Sequence, residues 1–259
     1  MDPPRRVEDF GGGRLDRTVW VPHYLPAWSS AAATAAAFRL DGGRLDLEVP
    51  LDHPLWCPDR HAEPLRVSGL QSGSWSGPVG SSLGQQRFAD GLTVREEQPR
   101  HEGWLPRSGE VSMRAEMHLS PRSMAALWLA GFEDDPGQRQ CGEICVAEVF
   151  GRSVVGGPDH PAEPSAEVGV GIKPFRDPDL ADDFAAVRLP LDVARPHDYA
   201  VDWDAGEAAF SVDGRVVRRC AAPPTYPMQL VLAVFDFPDW PGPDDHVPRM
   251  VVHEVTATV

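Results

Sequence analysis

The chain has 259 residues, 39 of them acidic against 24 basic, and a formal net charge of −15. A field of that sign repels phosphate backbones and anionic lipid surfaces, so nucleic acid and membrane are not expected partners, whereas an uncharged glycan meets no such barrier. No apolar run approaches the length of a membrane-spanning helix, and the 24 Gly and 27 Pro fall between alternating apolar runs as turn punctuation.

With no internal repeat and no long linker, the expectation is one domain over residues 1–259. The start, Met1-Asp2-Pro3-Pro4-Arg5-Arg6, lacks the apolar core of a signal peptide, so the sequence as given reads as cytoplasmic, and as secreted if a leader has been removed. Ser30 to Ala37 is Ala-rich and fits a helical turn or two, or the approach to a strand beginning at Phe38. Gly43 to Val49 alternates apolar and polar residues, as do Val111 to Leu119 and Ala209 to Val212, each predicting a strand with one buried face. The last of these is closed by the hairpin turn Asp213-Gly214 before Arg215-Val216-Val217. Leu230 to Phe235 and Met250 to Val252 are continuously apolar, which suits central strands covered on both sides. Residues 71–85 and 156–184 are expected to be loops. Many short strands with Gly/Pro turns predict an all-β sandwich or barrel. Cys57, Cys141, Cys145 and Cys220 have neither zinc-ribbon nor C-x-x-C spacing and are expected as free, buried thiols.

The segment Cys141-Gly142-Glu143-Ile144-Cys145-Val146-Ala147-Glu148-Val149-Phe150-Gly151 carries most of the functional information. It reads as a strand, in which side chains five positions apart point to opposite faces unless a β-bulge supplies one extra residue. A bulge at Val146-Ala147 turns Glu143 and Glu148 to the same face, their Cα atoms about 13 Å apart. Converging side chains then close the carboxyl gap to roughly 5–5.5 Å, the separation of a retaining glycosidase. An ordinary strand with two solvent-facing glutamates is the other reading.

This run resembles the E-I-D-[VI]-x-E signature of glycoside hydrolase family 16, the laminarinase, lichenase and agarase family, with Cys145 where the family has Asp. The resemblance continues in order through Gly109 to Ala115 (the Y-G-x-x-E-x-R strand, with Ser112 at the Glu position), Met124 to Leu129, His197 to Trp203, Phe210 to Gly214 and Pro227 to Leu232. The N-terminal third matches more loosely, at Leu15 to Trp20 and Val67 to Gly69. The resemblance implies a concanavalin A-like jelly-roll β-sandwich, two antiparallel sheets with a glycan cleft across a concave face. It implies a retaining endo-acting glycoside hydrolase on a polysaccharide such as a β-glucan, with Glu143 as nucleophile and Glu148 as acid/base. A carbohydrate-binding protein without turnover on the same fold is the alternative, motivated by the missing central Asp, and transglycosylation would use the same two glutamates.

Two neighbouring acids divide these tasks because ionising one raises the pKa of the other. Cys145 is neutral near pH 7, so the site lacks a third negative charge, and a lower acidic limb of activity, or weaker activity, is expected than with a carboxylate there. Around the pair, Arg114 is expected to pair with a cleft carboxylate or to hold a sheet edge, and His197 to brace Glu148, contact substrate or satisfy a backbone carbonyl. Sugar rings present apolar faces that aromatic planes match. Trp128 and Trp203 fall in matched motifs and Trp75 and Trp104 in Gly/Pro/Ser-rich loops, so these four are the candidate subsite residues, with core packing open for Trp128. Trp20, Trp28, Trp56 and Trp240 are assigned to packing or surface. No H-x-H or H-x-x-x-H pair with a third ligand occurs, and His253 stands where some relatives have a calcium-binding Asp, so neither a metal nor a cofactor is expected.

Overall fold

The computed structural model describes residues 4–156 and 162–259. Its strands are β1 (Arg5–Glu8), β2 (Ala37–Leu40), β3 (Leu45–Glu48), β4 (Arg66–Gln71), β5 (Gly73–Ser74), β6 (His101–Glu102), β7 (Gly109–His118) and β8 (Ser123–Gly131). They continue with β9 (Glu143–Phe150), β10 (Ala166–Lys173), β11 (Asp183–Leu189), β12 (His197–Trp203), β13 (Glu207–Val212), β14 (Arg215–Ala221), β15 (Met228–Asp236) and β16 (Arg249–Thr258). The helical structure among the described residues is two short 3₁₀ turns, Pro26–Trp28 and Gly151–Ser153. The Ala-rich piece that follows the first makes a turn closed by Thr34 N–H to the Ser30 carbonyl, and then enters β2.

An eight-stranded antiparallel sheet in the order β14-β13-β12-β7-β16-β3-β2, with β1 also on β16, packs on a six-stranded antiparallel sheet in the order β11-β10-β9-β8-β15-β4. The fold is thus the expected all-β jelly-roll sandwich. Alternation decides which residues fill the space between the sheets. On β7 Val111, Met113, Ala115 and Met117 point inward, and on β9 Ile144, Val146, Ala147 and Val149 do so, meeting Tyr199, Phe210 and Trp203 from the outer sheet. β15 is buried along its whole length, as its unbroken apolar run predicts, because a second layer of loops covers its other face. The β13–β14 turn has Asp213 and Gly214 both at positive φ (50° and 74°), the geometry that Asp-Gly favours in a two-residue hairpin. All four cysteines are free and buried.

One sequence expectation changes here. Residues 156–184 are not all loop: β10 occupies 166–173 and joins the six-stranded sheet next to the glutamate strand, while 157–161 lie outside the described residues. His253 is 2.8 Å from the Glu116 carboxylate of the adjacent β7.

Candidate active site

The ladders on both sides of β9 contain the bulge. Against β8, Leu127 pairs with Ala147 and Trp128 with Cys145, leaving Val146 as the extra residue. Against β10, Gly169 pairs with Glu148 and Gly171 with Cys145, so three steps on β9 match two on its partner. Ile144, Val146, Ala147 and Val149 consequently all face the core, and Glu143, Cys145, Glu148 and Phe150 all face the other side. On that side Glu143 and Glu148 together line a cleft of about 310 Å³. Four ladder positions separate them, about 13 Å between Cα atoms at 3.3–3.4 Å per residue.

The cleft walls are aromatic. Tyr24, Trp56, Phe88, Phe150, Phe175, Phe235 and Phe237 line it. Trp56 packs on Phe88 with centroids 4.6 Å apart and on Tyr24 at 5.3 Å, and Phe237 stacks on Trp240 at 4.1 Å. One wall is braced from behind by Glu133, whose buried carboxylate pairs with Arg176 at 2.7 Å and accepts from the backbone N–H of Gln86. Burial nevertheless holds the Glu133 carboxyl up at about 7, the Gln86 and Arg176 contacts working against it. Beyond Glu148 and Phe150 a second hollow of about 320 Å³ continues over Gly169, Phe184, Ala186 and Arg188.

Lys173, at the end of β10, faces Glu143 in the ladder and reaches along the sheet to Glu148. Its ammonium donates to Glu148 Oε2 at 3.0 Å and sits 4.1 Å from the centre of the Phe184 ring. Among the described residues Glu143 has no such partner: burial pushes its carboxyl up to about 7, the Glu148 charge adds to the rise and Lys173 opposes it. Burial thus disfavours charge on Glu143, while Glu148 is paired with the Lys173 cation. Cys145 is 2% exposed, and burial drives its thiol well above its ordinary value, with the two glutamates adding to the effect. It is a neutral filler at neutral pH. Gly169 keeps the space beside Glu148 open, since a Cβ there would lie 2.5 Å from Phe184 Cζ and 3.2 Å from Glu148 Cβ.

Of the sequence candidates, Glu143, Cys145 and Glu148 share one face, and Trp128 lies on the same side of the sheet but beneath Tyr24 and Phe235, at centroid distances of 6.2 and 6.0 Å. Trp75 is half-buried and spends its indole N–H on the Phe132 carbonyl at 2.7 Å, outside the cleft lining. Four others are corrected. Arg114 and His197 belong to β7 and β12 of the outer sheet and are bound to Asp198 at 2.8 Å and Asp213 at 2.7 Å, so neither braces a glutamate of the inner sheet; His197 also meets the Asp192 backbone carbonyl at 3.0 Å, the backbone reading expected for it. Trp203 points from β12 into the core, 2% exposed, with its N–H on the Pro224 carbonyl. Trp104 is 8% exposed and packs on Trp20 at 6.3 Å between the layers. Conversely, Trp56, assigned to packing, lines the cleft, and Lys173, Tyr24, Phe88 and Phe237 were not singled out. Lys173 was readable: Glu167 to Lys173 alternates as E-V-G-V-G-I-K, a strand pattern whose two glycines look like loop punctuation.

No family model matches the chain, and no curated protein matches it. Solved structures do. A GlcNAcα1-4Gal releasing endo-β-galactosidase from Clostridium perfringens superposes with a TM-score of 0.78 at 21% identity, over 97% of this chain and 61% of that one. The chain thus spans about three fifths of that protein's length. A laminarinase from Flavobacterium sp. UMI-01 gives 0.62 at 15% identity, over 98% and 99% of the two chains. SCLam, a non-specific endo-β-1,3(4)-glucanase from family GH16, gives 0.61 at 15%, over 100% and 94%. With its two-sheet topology and bulged glutamate strand, the chain has the fold of the family 16 glycoside hydrolases.

Proposed function

We propose that the protein is an endo-acting glycoside hydrolase that cleaves a glycan with retention, using Glu143 and Glu148. The observation that carries this reading is the bulge at Val146, which sets both carboxyl groups on one face of β9, in one aromatic-walled cleft. Endo-glycosidases that share the fold support the reading of a glycoside hydrolase.

In the reaction Glu143 attacks the anomeric carbon as the bond to the leaving oxygen breaks, and that oxygen takes the proton of Glu148. Water then attacks the glycosyl ester, giving its proton to Glu148 and releasing Glu143. Lys173 is placed to favour charge on Glu143 during the reaction. It lies opposite Glu143 in the ladder yet bonds Glu148, so a sugar displacing it from Glu148 sends its charge toward Glu143. That favours the carboxylate at 143. The aromatic walls match the apolar faces of sugar rings.

The test is reducing-end release from laminarin, lichenan and agarose by wild type, Glu143→Gln and Glu148→Gln. The reading expects release by wild type and a loss of at least about 10²-fold in each variant. Equal, nonzero rates in wild type and Glu143→Gln would remove Glu143 as the nucleophile. Binding without release by any of the three would favour a carbohydrate-binding protein, the reading to which Cys145 in place of a carboxylate lends support.

A further inference from the structure

Gln86 lines the cleft yet is only 6% exposed, and its backbone lies in the left-handed region at φ 49°. A residue other than glycine stays there only where its surroundings fix it. Here they do. The Gly84 carbonyl accepts from Gln138 Nε2 at 2.9 Å, and the Gln85 carbonyl accepts from the Trp28 indole N–H at 2.8 Å. The Gln85 amide is spent between the Phe132 carbonyl and the Trp75 N–H, each at 3.2 Å, and the Gln86 N–H donates to Glu133 Oε1. Glu133, itself at φ 59°, accepts through its other oxygen from Arg176, the residue after Phe175 of the cleft lining. One buried carboxylate therefore joins the two segments that carry Gln86 and Phe175.

The Gln86 side chain is fixed as firmly as its backbone. Its Nε2 donates to the Cys141 carbonyl at 3.1 Å, and because a carbonyl only accepts, the amide has one orientation, with its NH₂ on Cys141 and Oε1 turned away. Cys141 precedes Glu143 by two residues, so this bond sets the amide beside the start of β9. Among the described residues Oε1 accepts no hydrogen bond, and it is not sealed from solvent. A donor that meets an acceptor already held in place gains the bond without the cost of ordering the side chain.

Resting on the proposed glycan-cleaving role of this cleft, we propose that Gln86 reads the substrate: its Oε1 accepts from a free hydroxyl of the sugar held beside Glu143, and Glu133 is the residue that positions it. A sugar with no donor at that place leaves the oxygen dehydrated and unpaired, so the acceptor selects against it. The substrate class is a glycan whose ring at this subsite presents an unsubstituted hydroxyl, and not an etherified or esterified one, to Gln86.

The test is binding in a Glu143→Gln background, which needs no turnover. Calorimetry gives affinities for laminaritetraose, a lichenan tetrasaccharide, an agarose tetrasaccharide and a mucin-type tetrasaccharide, and then for the monodeoxy analogues of the tightest binder. Removing one hydroxyl is expected to weaken binding about tenfold, or about 1.4 kcal/mol, and less than about twofold once Gln86→Met is added. Glu133→Leu, which takes away the acceptor of the Gln86 N–H, should lose the same discrimination, and Glu133→Gln, which keeps an acceptor, should retain most of it. A Gln86→Met variant that weakens every analogue equally, or leaves the pattern unchanged, overturns the proposal, as does binding of none of the four glycans. Sugar release by wild type together with an unchanged pattern sinks the assignment of Gln86 alone. A pattern that depends on Gln86, with no release from any polymer by wild type, sinks the hydrolase reading and leaves the assignment standing.

Discussion

Replacing Glu143 by Gln should abolish sugar release and at the same time stabilise the protein above neutral pH. The carboxyl of Glu143 is half-buried in the cleft wall, and burial together with the Glu148 charge, opposed by Lys173, holds it up at about 7 against an ordinary 4.5. A carboxyl whose folded pKa is raised contributes no penalty below its unfolded value, where both states hold the proton. The penalty grows as the pH rises from about 4.5 to 7, because the unfolded chain ionises first, and is complete above 7. At about 1.4 kcal/mol per pH unit the gap amounts to about 3 kcal/mol. Gln has nearly the same shape and no charge to desolvate, so it removes that penalty. Urea unfolding of both proteins at pH 4 and pH 8 is the assay. The expected result is near-equal stability at pH 4 and an advantage of about 3 kcal/mol for Glu143→Gln at pH 8, or a gain in Tm of roughly 5–10 °C. An advantage independent of pH, or a less stable variant at pH 8, would refute the burial argument for this group.

Cys145→Asp places a third carboxylate between the two glutamates, so the acidic limb of the activity profile should move to higher pH, and a profile that stays put or moves down would show that the position does not act electrostatically. Lys173→Met removes the cation opposite Glu143, which should raise the pH at which the nucleophile ionises; kcat/KM should fall more at pH 6 than at pH 8, with Lys173→Arg keeping most of the activity. Gly169→Ala drives a methyl into Phe184 beside Glu148 and is expected to raise KM and cost about 1–3 kcal/mol of stability in thermal unfolding. Arg114→Ala, on the outer sheet, should leave sugar release within about twofold and stability within about 0.5 kcal/mol, because its pair with Asp198 is exposed.

The fold was legible in the sequence wherever period-2 alternation ran next to turn chemistry, as in β7 and in the Asp213-Gly214 hairpin. The bulge was legible from the spacing of Glu143 and Glu148, since a strand meets that spacing with both acids on one face only by adding a residue. What the motifs did not fix was depth. Arg114 and His197 occupy outward positions of β7 and β12, but those strands belong to the sheet on the far side of the core, and position in a ladder carries no information about which layer the ladder joins. Trp203 and Trp104 were absorbed by the core for the same reason. The cleft walls came from far along the chain: Tyr24, Trp56 and Phe88 meet Phe235 and Phe237 only after the N-terminal loops fold over β8, β15 and β4. No local pattern marks a loop residue for such a contact. Lys173 sits in a readable strand pattern that two glycines disguise as loop punctuation; Gly169 keeps the space beside Glu148 open, and Gly171 lets β10 approach the Asp183 carbonyl of β11.

The division of labour between the two glutamates is tested most directly by azide rescue with an activated aryl β-glycoside of the cleaved sugar. In Glu143→Ala azide replaces the missing nucleophile and attacks from the opposite face, so the account predicts a glycosyl azide of inverted configuration. In Glu148→Ala the ester on Glu143 still forms and azide opens it, giving the retained configuration. The opposite pairing of products would exchange the two roles, and rescue of neither variant would contradict the claim that these glutamates carry the chemistry.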